Sequence, residues 1–186
     1  FRGHHLLERM SAHLSEEALK QDLAGIYSEA LTIHTFSQQN DDRSGLAICA
    51  ALLGANPETF RPMDVACPTA GQRQSYLRTF RFVQPPTTRK VQPAGTYQDA
   101  ISGIYDSLGV EAVVAPQTGA EAESSATRMK VNGRGYGVIR FEHIGRNCAI
   151  ELEQALRDVQ SLWARSVQLA ALMTDPGLPE LISAAR

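Results

Sequence analysis

Asn147 to Thr174 reads NCAIELEQALRDVQSLWARSVQLAALMT, and the reading of this stretch decides the class of the fold. Cys148, Leu152, Ala155, Val159, Leu162, Ser166, Leu169 and Met173 follow a three-to-four spacing, the period of one helix face. The spacing predicts one continuous helix, roughly 40 Å long at about 1.5 Å per residue. Asp175-Pro176-Gly177 would stop it, and Pro179 would open a terminal turn. A helix of that length has to lie along a bundle or an interface.

Working back along the chain, residues 5–14 and 16–36 show the same period. Ser15 stands as an N-cap before Glu16 and Glu17, and Leu19, Leu23, Ile26, Ala30 and Ile33 make one face. QQNDDRSG (38–45) reads as a loop by composition, and LAICAALLGA (46–55), apolar nearly all round, reads as a short buried helix. Asn56-Pro57 offers a cap and first-turn proline for one more turn, after which Pro62 and Pro68 interrupt. Strand-like content is confined to the middle. YLRTFRFV (76–83) ends at Pro85-Pro86, and VEAVVA (110–115) is a further candidate strand. Between them Thr96 and Asp99 resemble a capping box for a helix over 97–108, with Gly109 as its C-cap. Residues 116–126 are small, polar and expected to be mobile. Segments 127–131 and 134–141 then flank Asn132-Gly133, a strong hairpin signal.

The class expected is α+β and predominantly helical, with a helical N-terminal part and a long C-terminal helix around a basic middle that holds a β-hairpin. A chain of 186 residues is one domain's worth. The division expected within it is an acidic helical subregion (1–70), a basic β-containing subregion (71–145) and the long helix with its tail (146–186).

At 43% hydrophobic and 20% charged residues the composition excludes collagenous, disordered and disulfide-scaffold classes. No apolar run approaches the roughly 18–20 residues of a membrane span, so no membrane partner is expected. Cys49, Cys67 and Cys148 are widely spaced and odd in number, which points to buried thiols in a reducing compartment such as the cytoplasm, or in a virion. The start at Phe1, without a basic and then apolar leader, points to processing or trimming rather than a targeting signal.

A formal net charge of −2 hides a segregation. Residues 1–72 carry five basic and nine acidic side chains, 73–146 ten and six, and 147–186 three and five. Two stretches of the basic middle lack acids. One holds Arg73, Arg78, Arg81, Arg89 and Lys90 with Tyr76, Phe80 and Phe82; the other holds Arg128, Lys130, Arg134 and Arg140 with Tyr136 and Phe141. Cations neutralise phosphates and aromatic faces stack on unpaired bases, so this interleaving suits single-strand binding. The plainer reading is a solvated basic face that balances the acidic parts of the same molecule or of a neighbouring copy.

Residues 134–141, Arg-Gly-Tyr-Gly-Val-Ile-Arg-Phe, resemble the RNP1 octapeptide of RNA-recognition-motif domains. Arg134, Gly135, Tyr136, Gly137 and Phe141 fit the pattern, and Ile139 is a conservative change. Val138 stands where the pattern has a stacking phenylalanine. On an extended strand Arg134, Tyr136, Val138 and Arg140 share one face, and Gly135, Gly137, Ile139 and Phe141 share the other. The first face would present a ring between cations, and the second would sit on helices. The element order over 76–157 extends the resemblance, but the first-strand hexamer has only Phe80 as a ring and no fourth strand is visible. What the resemblance implies is RNA binding with Tyr136 stacked on a base.

Other chemistry has weaker support. His4 and Glu8 stand at i and i+4 near His5 and His13, a metal pair or a frayed terminus. Gly133, Gly135 and Gly137 do not complete a dinucleotide fingerprint, and there is no phosphate loop or nucleophile elbow. No cofactor or metal is expected. The function expected is non-catalytic binding of single-stranded nucleic acid, RNA before DNA. Its contacts are Arg78, Phe80, Arg81, Arg89, Lys90, Arg128, Lys130, Arg134, Tyr136 and Arg140. Segregated charge and the long helix suggest copies that touch each other, as in a viral capsid or coat protein forming a helical nucleoprotein. The alternatives are a protein-interaction module without nucleic acid, and a small enzyme using His143 with Cys148 or Glu142.

Overall fold

A computed structural model describes residues 6–61, 71–92 and 95–186, which form two compact units. His4, His5, Pro62, Cys67 and Pro68 lie outside the described residues. Unit 1 comprises residues up to Thr87 together with Ile104–Glu111, and unit 2 comprises Thr88–Gly103 with Ala112–Arg186.

In unit 1 the chain runs α1 (Leu6–Lys20), β1 (Gly25–Leu31), α2 (Phe36–Arg43), β2 (Ala47–Asn56) and β3 (Gln74–Phe82). The sheet order is β1-β3-β2, with β3 antiparallel to both neighbours. Alternation along β3 separates two faces. Thr79 and Arg81 turn toward the helices, where Thr79 Oγ1 donates to Asp41 Oδ2 at 2.8 Å with both residues buried. Arg78 and Phe80 turn the other way, and the Phe80 ring lies so close to Gly25 that a Cβ there would fall 2.3 Å from it.

In unit 2, β4 (Arg89–Val91) pairs in parallel with β5 (Ala112–Val114). A short 3₁₀ turn (Gly95–Tyr97) leads into α3 (Gln98–Ser107), whose last residues belong to unit 1. The main sheet follows, built from β6 (Ala126–Val131), β7 (Tyr136–His143) and β8 (Ser166–Ala170) in that order. β6 and β7 form an antiparallel hairpin, while β8 returns parallel to β7 through α4 (Cys148–Ser161). The closing helix is α5 (Leu178–Ala184). Ile139 and Phe141 from β7, Ile144, Cys148, Leu152, Ala155 and Val159 from α4 and its approach, and Leu178 and Leu181 from α5 make the core. Among the described residues this core lies on the side of the sheet that α4 and α5 cover.

The described residues form a mixed α and β fold with three sheets, and the expectation of a predominantly helical chain with a long C-terminal helix is overturned. Residues 147–174 hold a helix, a corner and a strand. α4 ends in a Schellman motif, in which Ala164 N donates to Val159 O at 3.1 Å and Trp163 N to Gln160 O at 2.9 Å. The residue that takes the left-handed conformation there is Trp163, at φ +63°. The helix expected over 16–36 is cut the same way, with Leu23 N on Ala18 O, Asp22 N on Leu19 O, and Asp22 at φ +54°. β1 follows directly. Ser15 lies within α1 and donates to Ser11 O at 2.8 Å, so it caps nothing. The apolar run at 46–55 is strand β2 rather than a buried helix, and the presumed loop at 38–45 is largely α2. An apolar run this short has no period that separates the two states.

Candidate nucleic-acid interface

The hairpin that carries the octapeptide closes with a turn at Asn132–Gly135. Asn132 Oδ1 accepts from Arg134 N at 2.9 Å and Tyr136 N at 3.1 Å, and Gly135 N donates to Asn132 O at 3.0 Å. Gly135 holds φ +67°, open to glycine and costly to most other residues. Arg134 therefore sits in the turn and not on the strand face expected for it.

From Tyr136 onward β7 alternates as its sequence implies. Gly137, Ile139 and Phe141 are buried against the helices, and Arg140 and Glu142 are exposed on the other side. In register, Arg128 stands opposite Arg140 and Lys130 opposite Val138, with Gln168 beside Val138 on β8. Arg128, Lys130, Tyr136 and Arg140 thus share one face, the one that α4 and α5 leave open. Tyr136 Oη donates to Gln168 Oε1 at 2.7 Å, which holds the half-buried ring in place. Arg128 Nε lies 2.8 Å from Glu142 Oε1. Lys130 and Arg140 are exposed and have no carboxylate partner among the described residues. Two like charges directly opposite on neighbouring strands repel, and Glu142 relieves only one of them. At one end of this face a cavity of about 370 Å³ is lined by Arg140, Glu142, Phe141, Ala170, Ala171 and Leu172.

The two glycines of the octapeptide serve the α4–β8 corner. A Cβ at Gly137 would come 3.2 Å from the Ala164 methyl and 3.6 Å from Val159. Gly135 O accepts from Arg165 N at 2.8 Å and Ser166 N at 3.3 Å. This puts Trp163, with 84% of its surface exposed, at the end of the sheet where Tyr136 begins. Sequence reading missed Trp163 and Gln168 because both were assigned to one helix. Trp163 is also the chain's only tryptophan.

The remaining expected contacts are dispersed. Arg89 and Lys90 are exposed on β4 in unit 2. Arg78, Phe80 and Arg81 belong to unit 1, where β3 presents them on opposite faces. Arg78 is bound to Glu29 on β1 and lies 5.5 Å from the centre of the Tyr27 ring. The hydrogen bond to Glu29 pushes its pKa above the ordinary value, with burial opposing. Phe80 packs edge-on against Phe82 at 4.8 Å between ring centres. Arg81 points to the helices, donating from Nη1 to Ser44 O at 2.8 Å and from Nη2 to Ser15 Oγ. The strands over which the RNA-recognition-motif resemblance was read, β3, β5 and β7, lie in three separate sheets.

For the enzyme alternative, His143 Nδ1 stands 4.0 Å from Asp175 Oδ2. Cys148 is buried in the core, and burial, with Glu180 adding to it, pushes its thiol up, away from the thiolate a nucleophile needs. Among the described residues no group of His, Cys, Asp and Glu converges as a metal site, and no helix is long and apolar enough to cross a membrane. No protein-family model, curated protein or solved structure matches this chain.

Proposed function

We propose that this protein binds single-stranded nucleic acid, RNA before DNA, without catalysing a reaction, through the open face of the β6-β7-β8 sheet. The observation that carries the reading is the Arg128–Arg140 pair, two like charges in register on the exposed face that also carries Lys130 and Tyr136. Phosphates would relieve that repulsion and fill the unpaired charge of Lys130. Tyr136 has its hydroxyl tethered and its ring fixed, which lowers the cost of stacking an unpaired base on it. Trp163 supplies a second ring, and the cavity beside Arg140 and Glu142 offers a base a polar edge against apolar walls. Self-association now rests on charge segregation alone, since the long helix that also argued for it does not exist.

The test is a titration of labelled single-stranded RNA of mixed sequence at several salt concentrations, with the quenching of Trp163 fluorescence as a second readout. Tyr136→Ala is expected to weaken binding by about 1–3 kcal/mol with the fold intact. Full affinity in that variant removes the stacking role, and no binding by the wild type at low salt leaves the protein-interaction module as the better account.

A further inference from the structure

Unit 1 contains a cleft of about 410 Å³ lined by Glu8, Ser11, Ala12 and Ser15 of α1, Arg43 and Ser44 at the end of α2, and Arg81 of β3. Its floor is an arginine without a counter-ion. Arg81 is half-buried and its guanidinium is held by a carbonyl and a hydroxyl, Ser44 O and Ser15 Oγ. Its Nε is buried with no hydrogen-bond partner, and no carboxylate pairs with it among the described residues. A guanidinium cannot shed its proton to escape such a site, so the charge stays and calls for an anion. The other charges in the cleft largely answer each other, Arg43 Nη1 lying 3.5 Å from Glu8 Oε1. Arg81 is the charge left over.

We infer that this cleft binds a small phosphorylated molecule, with the phosphate on Arg81 and within reach of Arg43 and the Ser11 hydroxyl. Arg81 of β3, Arg43 of α2 and Ser11 of α1 bring donors from three elements to one cleft, enough to serve several oxygens of a single phosphate. Ser15 and Ser44 are positioning residues, since the Ser15 hydroxyl and the Ser44 carbonyl hold the Arg81 guanidinium. The inference does not depend on the nucleic-acid reading, which uses the other unit.

Inorganic phosphate is the probe, compared with acetate and chloride at matched ionic strength by thermal unfolding of the full chain. Phosphate is expected to raise the midpoint in proportion to the logarithm of its concentration, and acetate less. Ala12→Asp, on an exposed helix position, sets a carboxylate in the cleft and is expected to abolish the phosphate effect while the circular dichroism spectrum and RNA affinity stay unchanged. Arg81→Gln should lose the effect as well. No rise in the wild type, a rise that persists in both variants, or an equal response to acetate would overturn the inference. Loss of RNA affinity in Ala12→Asp would assign Arg81 to nucleic acid and overturn it too.

Discussion

Trp163 occupies a left-handed backbone position that costs an ordinary residue about 1–2 kcal/mol, and it gains little from burial. Trp163→Gly is therefore expected to stabilise the protein by about 0.5–1 kcal/mol, the strain relieved less the entropy of the glycine. Urea unfolding reads that change. If the ring stacks on a base, the same variant binds RNA about 1–3 kcal/mol more weakly, so stability and affinity move in opposite directions. Cys148 supplies a second test. Its folded-state pKa lies above the unfolded value because burial disfavours the thiolate. The stability it contributes is complete below the ordinary value of 9.0 and is lost as pH rises through the higher folded value. Urea midpoints measured between pH 7 and about 10.5 should decline less steeply in Cys148→Ala than in the wild type.

The elements of unit 2 hold together through one face of β7. Phe141 and Leu152 are almost fully buried, so Phe141→Ala should cost about 3–5 kcal/mol and Leu152→Ala about 2–5 kcal/mol in denaturant unfolding. The helix ends explain which elements were legible in the sequence. α2 and α3 end in the same Schellman motif as α1 and α4, with Gly45 at φ +72° and Gly109 at φ +67° in the left-handed position. At Gly109 the glycine announces the stop, and the reading from sequence placed it there. At Asp22 and Trp163 nothing in the residue type does so, and the periodicity of the following strand happens to continue the helical spacing. Val159 and Ser166, or Leu19 and Ile26, fit one helix stripe, yet each pair lies on either side of a corner. In the hairpin, by contrast, strict alternation from Tyr136 to Phe141 left a single solution for the two faces.

Across the whole molecule the expected basic surface is divided between two units, and only its part on the β6-β7-β8 sheet forms a continuous face. If Arg128, Lys130 and Arg140 make the phosphate contacts, log K against log salt should have a slope of about −2, from about −0.7 per phosphate on a single strand. A slope near zero would exclude this face, and one much steeper would bring in Arg89, Lys90 or further copies of the chain.

Local pattern alone determined the β3 strand, the α3 helix with its glycine stop, and the hairpin with Tyr136 and Arg140 on the side away from Ile139 and Phe141. These rest on backbone preferences and on a period of two, which act between neighbours in the chain. Tertiary structure decided where α1 and α4 stop, because a left-handed aspartate or tryptophan is tolerated only when the following strand finds a sheet to join. It also decided that Arg81 faces the helices while Arg78 faces Glu29 and Tyr27, since the partners that hold each arginine come from distant parts of the chain. The charge of an arginine is written in the sequence; whether it is neutralised depends on what folding brings beside it.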